Sequence, residues 1–361
     1  MVGLIARKGN FALSATSAGR RGYGQQRLNS VLYNELSKLS NNKFSIEKVE
    51  IGVGSSDFMR RLTSIADLFY LNMKQFDIIH APTPLFARPL RMKRSAKLIT
   101  TSHGISTTDK SSPCYYAQNL KVNRGFRNDI INYIGHRQTL TSDFIIAVSS
   151  LTKRRIVERG FESKRIFVVN NSLDDRFTKT PLHKYRAKHK KFVIGYLGPF
   201  YRNKNVVFAI RAFRKIDDKN MEFQIWGRKI YDYPNMVEAA CNDKRIKFMG
   251  VAPESRIVRI YDNFDAFVYP TICDQFPASI IEAQTRGLPV VTYSKGEMSA
   301  ESRRYCIEAE DEDDMASILE NIKQNGYDDK SKTQSTNYAR SFTAEKQAKE
   351  TLEVYKKVYD N

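Results

Sequence analysis

The sequence predicts an α/β protein made of two Rossmann-like domains, each a parallel sheet covered by helices. Two observations carry this prediction. Short apolar runs of strand length alternate with longer amphipathic runs along the whole chain, the pattern of repeated βαβ units. A polar, basic stretch at Pro181 to Lys191 separates two such series, and 361 residues give each half enough chain for its own core. The expected organisation is therefore 1–180, 181–341 and a final helical segment, 342–361.

In the first half the apolar runs Val2 to Ala6, Phe44 to Ile51, Phe76 to His80, Lys97 to Thr101, Phe144 to Ala147 and Ile166 to Val169 read as strands. Helical patterns fall between them at Gln25 to Ser40, Phe58 to Met73 and Asn128 to Thr139. In the second half, Phe192 to Tyr196, Glu222 to Trp226, Ile246 to Met249, Ala266 to Tyr269 and Val290 to Tyr293 are the strands. Its helices are expected at Val206 to Ile216, Asn235 to Asn242, Glu254 to Asp262, Ala278 to Thr285 and Asp314 to Gln324. The last helix, Thr343 to Val358, carries an apolar stripe of Ala348, Leu352, Tyr355 and Val358.

A hydrophobic content of 41% is that of a globular protein, and no run approaches the ~18 apolar residues of a membrane span. Val2 to Ala6 is too short for a secretory leader and is followed at once by Arg7 and Lys8. Cys114, Cys241, Cys273 and Cys306 are scattered, with neither metal spacing nor a disulfide framework, so a reduced, cytoplasmic protein is expected. The net charge is +20 and uneven: residues 1–180 hold 29 basic and 13 acidic side chains, residues 181–361 hold 30 and 26. Arg60-Arg61, Arg88 to Lys97 and Lys153-Arg154-Arg155 supply much of the excess. Two readings of it stand: a solvated basic surface, or attraction to lipid headgroups, a phosphorylated carrier or nucleic acid. For nucleic acid, no zinc, helix-turn-helix or aromatic–basic motif lends support. The stripe Met59, Leu62, Ala66, Phe69 and Met73 beside Arg60 and Arg61 is either a membrane contact or a face packed on the sheet.

The most informative segment runs from Tyr269 to Val291. A strand feeds a turn carrying Asp274, a helix opens near Pro277 and carries Glu282, and Gly287 stops it ahead of the next strand. Eight residues are a little over two helical turns, so Glu282 projects on the side of the loop that holds Asp274. Two acceptors beside a helix N-terminus at the carboxyl end of a strand suit a ligand rich in hydroxyls and phosphate.

This segment resembles the E-x7-E signature of retaining glycosyltransferases with the GT-B fold, family 4 in particular, with Asp274 in place of the first Glu. The similarity extends along nearly the whole chain. Phe76-Asp-Ile-Ile-His-Ala-Pro-Thr83 and Leu98-Ile-Thr-Thr-Ser-His-Gly104 resemble the family's two strand-end histidine segments. Ser142 to Ser149 and Val168 to Asp174 are similar to the end of its first domain, and Ile194-Gly-Tyr-Leu-Gly198 with Lys204 to the donor-phosphate loop of its second. The resemblance implies two domains facing a cleft, transfer of a hexose from a nucleotide-diphosphate sugar with retention, and a final helix that crosses back to the first domain. It also implies a front-face route that needs no metal.

The site residues follow. Lys204 and the loop at Gly198 meet the donor diphosphate; the family's Arg after this glycine is Pro199 here, and Arg202 is the candidate substitute. Glu282 accepts from the ribose hydroxyls and Asp274 from the donor sugar, one methylene short of the family's Glu. Backbone N–H groups at Ala278, Ser279 and Ile280 form the helix N-terminus that receives phosphate or sugar. Gly22 and Gly24, ahead of the first helix, let backbone approach the donor, and Arg20 and Arg21 are weak acceptor candidates. His103, ending a strand before Gly104, is assigned to the donor sugar as a catalytic contact; His80 is a weaker acceptor-side candidate. Asp311-Glu-Asp313 matches a metal-binding D-x-D pattern but precedes a helix, where carboxylates serve as caps, so no metal is expected. Two rivals stand beside this reading: a nucleic-acid-binding or DNA-modifying GT-B protein, and a catalytically silent family member.

Overall fold

The computed structural model describes residues 9–16, 23–39, 44–51, 76–81, 96–105, 111–112, 114, 141–182 and 191–360. The chain divides into two units. Unit 1 takes Met1–Ile105, Asn123–Ser172 and Thr343–Asn361; unit 2 takes Ser106–Val122 and Leu173–Phe342.

Unit 1 is built on six parallel strands, β1 (Gly9–Thr16), β2 (Phe44–Ile51), β3 (Ile78–Ala81), β4 (Lys97–Ser102), β5 (Phe144–Ala147) and β6 (Ile166–Val168), in the order β2-β1-β3-β4-β5-β6. Parallel strands require crossovers, which cover the sheet and make its strands apolar throughout. Accordingly, all four residues of β3 are buried. Leu32 and Leu36 of helix α1 (Tyr23–Lys38) pack with Ile46, Ile78, Ile99, Ile146 and Val169. The last helix, α2 of this unit (Ala344–Asp360), adds Ala348, Leu352, Val354, Tyr355 and Val358 to the same core. Its apolar stripe is thus buried in unit 1, although the helix is the last element of the chain.

The expected strand Val2 to Ala6 and the helices at 58–73 and 128–139 lie outside the described residues. The first strand is Gly9–Thr16, whose sequence Gly-Asn-Phe-Ala-Leu-Ser-Ala-Thr is too rich in small and polar residues to stand out by hydropathy.

Unit 2 holds a second six-stranded sheet: β7 (Phe192–Leu197), β8 (Met221–Trp226), β9 (Ile246–Gly250), β10 (Ala266–Tyr269), β12 (Val290–Tyr293) and β14 (Ile307–Ala309). Its order is β14-β12-β10-β7-β8-β9, with every pair parallel. Counted along the chain, this is the 3-2-1-4-5-6 order of dinucleotide-binding sheets, and the order reverses between β7 and β10. A two-stranded ladder, β11 (Cys273–Asp274) with β13 (Glu297–Met298), stands apart from it.

Other features also depart from the sequence reading. The boundary falls at Ser172/Leu173 and not at 180, because residues 173–181 are anchored in unit 2. Arg176 bridges Asp174 and Glu254, while the fully buried Arg286, paired with Asp262 at 2.7 Å, donates to the carbonyls of Thr180 and Pro181. The expectation of unpaired thiols is also overturned: Cys114 and Cys273 form a disulfide with a Cα–Cα distance of 5.0 Å, leaving Cys241 and Cys306 free. Two cysteines 159 positions apart give no local spacing from which to read a pair. Finally, a helix at Asp329–Arg340 was not expected from the sequence. Its buried residues, Ser335, Thr336 and Ala339, are small or polar and leave no apolar period. Among the described residues no helix is long and apolar enough to cross a membrane.

Candidate active site

Strands β7 and β10 end side by side at the switch point of unit 2, where ligands of such sheets bind. Past β7 the chain turns at Gly198, whose N–H donates to the Trp226 carbonyl at 3.0 Å. A Cβ at Gly198 would lie 2.8 Å from the Tyr196 hydroxyl, and one at Gly227 would lie 2.0 Å from the Gly198 carbonyl. Glycine at 227 lets its loop approach the Gly198 turn so closely, and glycine at 198 leaves room for the Tyr196 hydroxyl. A short 3₁₀ turn, Arg202–Lys204, and a left-handed Asn205 then lead into helix Val206–Lys215.

This turn delivers Lys204 to Asp274. The Lys204 ammonium donates to Asp274 Oδ2 and lies 5.5 Å from the centre of the Tyr269 ring, with the two charged side chains 11% and 19% exposed. Asn203 stitches the two loops together. Its Nδ2 donates to the Cys273 carbonyl at 3.0 Å, and its own carbonyl accepts from Ile272 N and Thr271 Oγ1. Nothing in the sequence had singled out Asn203.

Each carboxylate also receives a hydrogen bond from a buried tyrosine. Tyr269 donates to Asp274 Oδ2 at 2.9 Å and Tyr261 donates to Glu282 Oε2 at 2.7 Å. Burial first, and then the charge of the neighbouring carboxylate, push both phenols well above their usual range, so they stay protonated. A third buried tyrosine, Tyr196, stacks on Tyr269 with centroids 5.8 Å apart and donates to the Pro199 carbonyl of the glycine turn.

Other expected residues fall in different places. Arg202 lies 3.8 Å from the buried Asp232, in the loop after β8, and is not paired with Asp274. Ser279 and Ile280 open helix Ala278–Thr285, but Ile280 is core: its side chain is fully buried and its N–H donates to Pro277 O at 3.2 Å. Its N–H is therefore spent. Arg20, Arg21 and Gly22 lie outside the described residues, and Gly24 sits within the first turn of α1 instead of ahead of it. Asp311 caps helix Glu312–Asn325 by accepting from Asp314 N, and Asp313 pairs with Lys215 at 2.7 Å.

In unit 1 the two histidines differ. His80 is buried with Nδ1 2.7 Å from the Tyr355 hydroxyl and Nε2 2.7 Å from Thr101 Oγ1. Burial, helped by His103, holds its pKa down to about 3, so it is a neutral core group and not an acceptor contact. His103 follows β4, half-buried, and lines a cavity of about 10 Å³ with Thr101, Asn171, Gln347 and Thr351 on its polar side and Leu32, Ile146 and Val169 on its apolar side. That volume is about one water molecule.

Two parallel six-stranded sheets in separate units, the second with its polar cluster at the switch point, define the GT-B architecture. The model of the family described as "Glycosyl transferases group 1" matches residues 191–325, and that described as "Glycosyltransferase Family 4" matches residues 49–177. The matched residues, 49–177 and 191–325, are similar to the family 4-like glycosyltransferases, and the fold is the GT-B fold. It is similar to a solved glycosyltransferase from Rickettsia africae ESF-5, with a TM-score of 0.71 and 17% identity over 98% of this chain and 100% of that one. HepE of Anabaena, solved with UDP, gives a TM-score of 0.65 and 14% identity over 97% and 100%. Among curated relatives, the phosphatidylinositol N-acetylglucosaminyltransferase GPI3 subunit of Saccharomyces cerevisiae is 23% identical over 55% of this chain and 48% of its own length. The O-antigen chain mannosyltransferase B of Escherichia coli is 24% identical over 59% and 56%. The chain thus spans about half the length of the curated relatives it matches.

Proposed function

We propose that this glycosyltransferase moves a hexose from a nucleotide-diphosphate sugar to a lipid-linked or anionic glycan, with retention and without a metal ion. The observation that carries the reading is the switch-point cluster, in which a largely buried ammonium and a glycine turn adjoin a carboxylate held by fixed donors. Departure of a diphosphate leaves negative charge on the leaving group and positive charge on the sugar. Lys204, with three N–H donors, serves both Asp274 and a phosphate, and the helix that starts after Pro277 adds its positive end. Glu282 accepts from the ribose hydroxyls and Asp274 from the sugar; His103 is assigned to the donor sugar on the family resemblance. The C1–O bond to the diphosphate breaks, the bond to the acceptor oxygen forms on the same face, and the acceptor proton passes to the departing phosphate oxygen.

UDP named with the solved HepE and with a pneumococcal O-GlcNAc transferase supports a uridine nucleotide as the first donor to test. The excess of positive charge in residues 1–180 supports an anionic acceptor and peripheral association with the inner face of a membrane. Calorimetric titration with a panel of UDP and GDP sugars tests the donor: at least one binds more tightly than its nucleoside diphosphate, and silence across the panel overturns the reading. Cosedimentation tests the surface: binding to anionic vesicles exceeds that to neutral ones and falls with salt. Equal binding, or tight binding to duplex DNA instead, removes the membrane reading.

A further inference from the structure

We propose that Tyr269 is a positioning residue for donor-sugar selection, acting through Asp274. The proposal rests on the donor reading of this site. Asp274 is one methylene shorter than the Glu it replaces, so its reach depends on how firmly its carboxylate is held. Two donors hold it, Lys204 and Tyr269, and both bond to Oδ2. Oδ1 is therefore the oxygen left to accept from a ligand hydroxyl.

The two donors differ in kind. Lys204 carries its charge on a flexible four-carbon stem, and a diphosphate competes for it. Tyr269 is fixed at the end of β10, buried, and stacked on Tyr196 at an interplanar angle of 15°. It keeps the carboxylate in place when the ammonium is shared with a phosphate. A carboxylate fixed by its own scaffold distinguishes one hydroxyl configuration from another, because the wrong epimer leaves its lone pair unmet.

The deciding measurement titrates wild type, Tyr269→Phe, Asp274→Asn and the double variant with UDP, UDP-glucose and UDP-galactose. Tyr269→Phe retains the ring and its stack. It is expected to leave UDP affinity within about twofold, to weaken the better-bound sugar nucleotide roughly tenfold, and to narrow the gap between the two epimers. In the Asp274→Asn background the same change adds less than about twofold, since the residue it positions is already altered. Tyr196→Phe, which deletes the neighbouring hydroxyl on the glycine turn, shows the opposite pattern and weakens UDP itself. If Tyr269→Phe lowers UDP and sugar nucleotides equally, or leaves both epimers unchanged while Asp274→Asn weakens them, Tyr269 does not position the carboxylate and the donor reading stands. If Asp274→Asn retains full affinity for the sugar nucleotides, the donor reading of Asp274 fails instead.

Discussion

His80 in unit 1 and Asp274 in unit 2 both sit at or just beyond the carboxyl end of a strand, with contrasting polar environments. His80 has both ring nitrogens engaged by Tyr355 and Thr101 and is almost fully buried. In unit 2 the burial is reversed. The fixed groups are the tyrosine hydroxyls of Tyr196, Tyr261 and Tyr269, and the acceptors Asp274 and Glu282 remain partly exposed. A saturated polar group inside a core gives specificity to the fold and has nothing left to offer a ligand. A carboxylate held on one side by a buried donor keeps its remaining lone pairs oriented toward solvent or substrate, at little reorganisation cost. Burial of the donor rather than of the acceptor is what separates the two strand ends.

The largest effect is expected from a covalent change next to Asp274. Replacing Cys114 and Cys273 with Ser opens a link between residues 159 positions apart, beside Asp274. It is expected to lower unfolding free energy by about 2–5 kcal/mol. Urea unfolding of the oxidised protein and the variant measures this, and coincident midpoints would show that the link adds nothing.

Next come the charged groups of unit 2. Lys204→Ala is expected to slow transfer and Glu282→Ala to weaken nucleotide-sugar binding, each by about 2–4 kcal/mol, if they make charge-assisted contacts in a desolvated site. Steady-state kinetics and titration check both, and wild-type constants in folded variants would take these residues out of the site.

His80 sharpens the contrast from the other side. Its folded pKa, about 3, lies below the ordinary 6.5, so the unfolded chain binds the proton first. The stability that neutral His80 contributes is complete above pH 6.5 and is lost as pH falls toward 3, by about 2 kcal/mol at pH 5. Denaturation at pH 7 and pH 5 in wild type and His80→Gln should show a pH dependence that the variant reduces. The smallest effect is expected at the acidic run: Asp311→Asn with Asp313→Asn, or EDTA, leaves turnover nearly unchanged, because Asn also caps a helix. A loss that magnesium or manganese restores would contradict this.

Periodicity made most of the fold legible, because buried parallel strands such as Ile78–Ala81 and Ala266–Tyr269 are apolar without interruption. Hydropathy carries no signal where a strand is rich in small and polar residues, as in Gly9–Thr16, or where small and polar residues do the packing, as in Asp329–Arg340. Within the site, Lys204, Asp274 and Glu282 were visible as charges in a recognisable spacing. The residues that hold them were not. Asn203 acts through its backbone carbonyl and amide, and Tyr261 and Tyr269 read as ordinary apolar positions because only their terminal oxygens are polar. Cys114 reaches Cys273 across 159 residues, a relation that no local pattern encodes. Both histidines read as strand-end site candidates in sequence, His80 the weaker, and the contacts of His80 within the core remove it from the site.

The claim that unit 2 carries the donor site at its switch point is tested most directly by amide hydrogen exchange with and without saturating UDP. Protection is expected to rise at residues 198–205 and 273–283, the glycine turn and the Asp274–Glu282 segment, with little change in β3 or around His80. Unchanged exchange in both segments, with protection appearing elsewhere in the chain, would place the nucleotide outside this switch point.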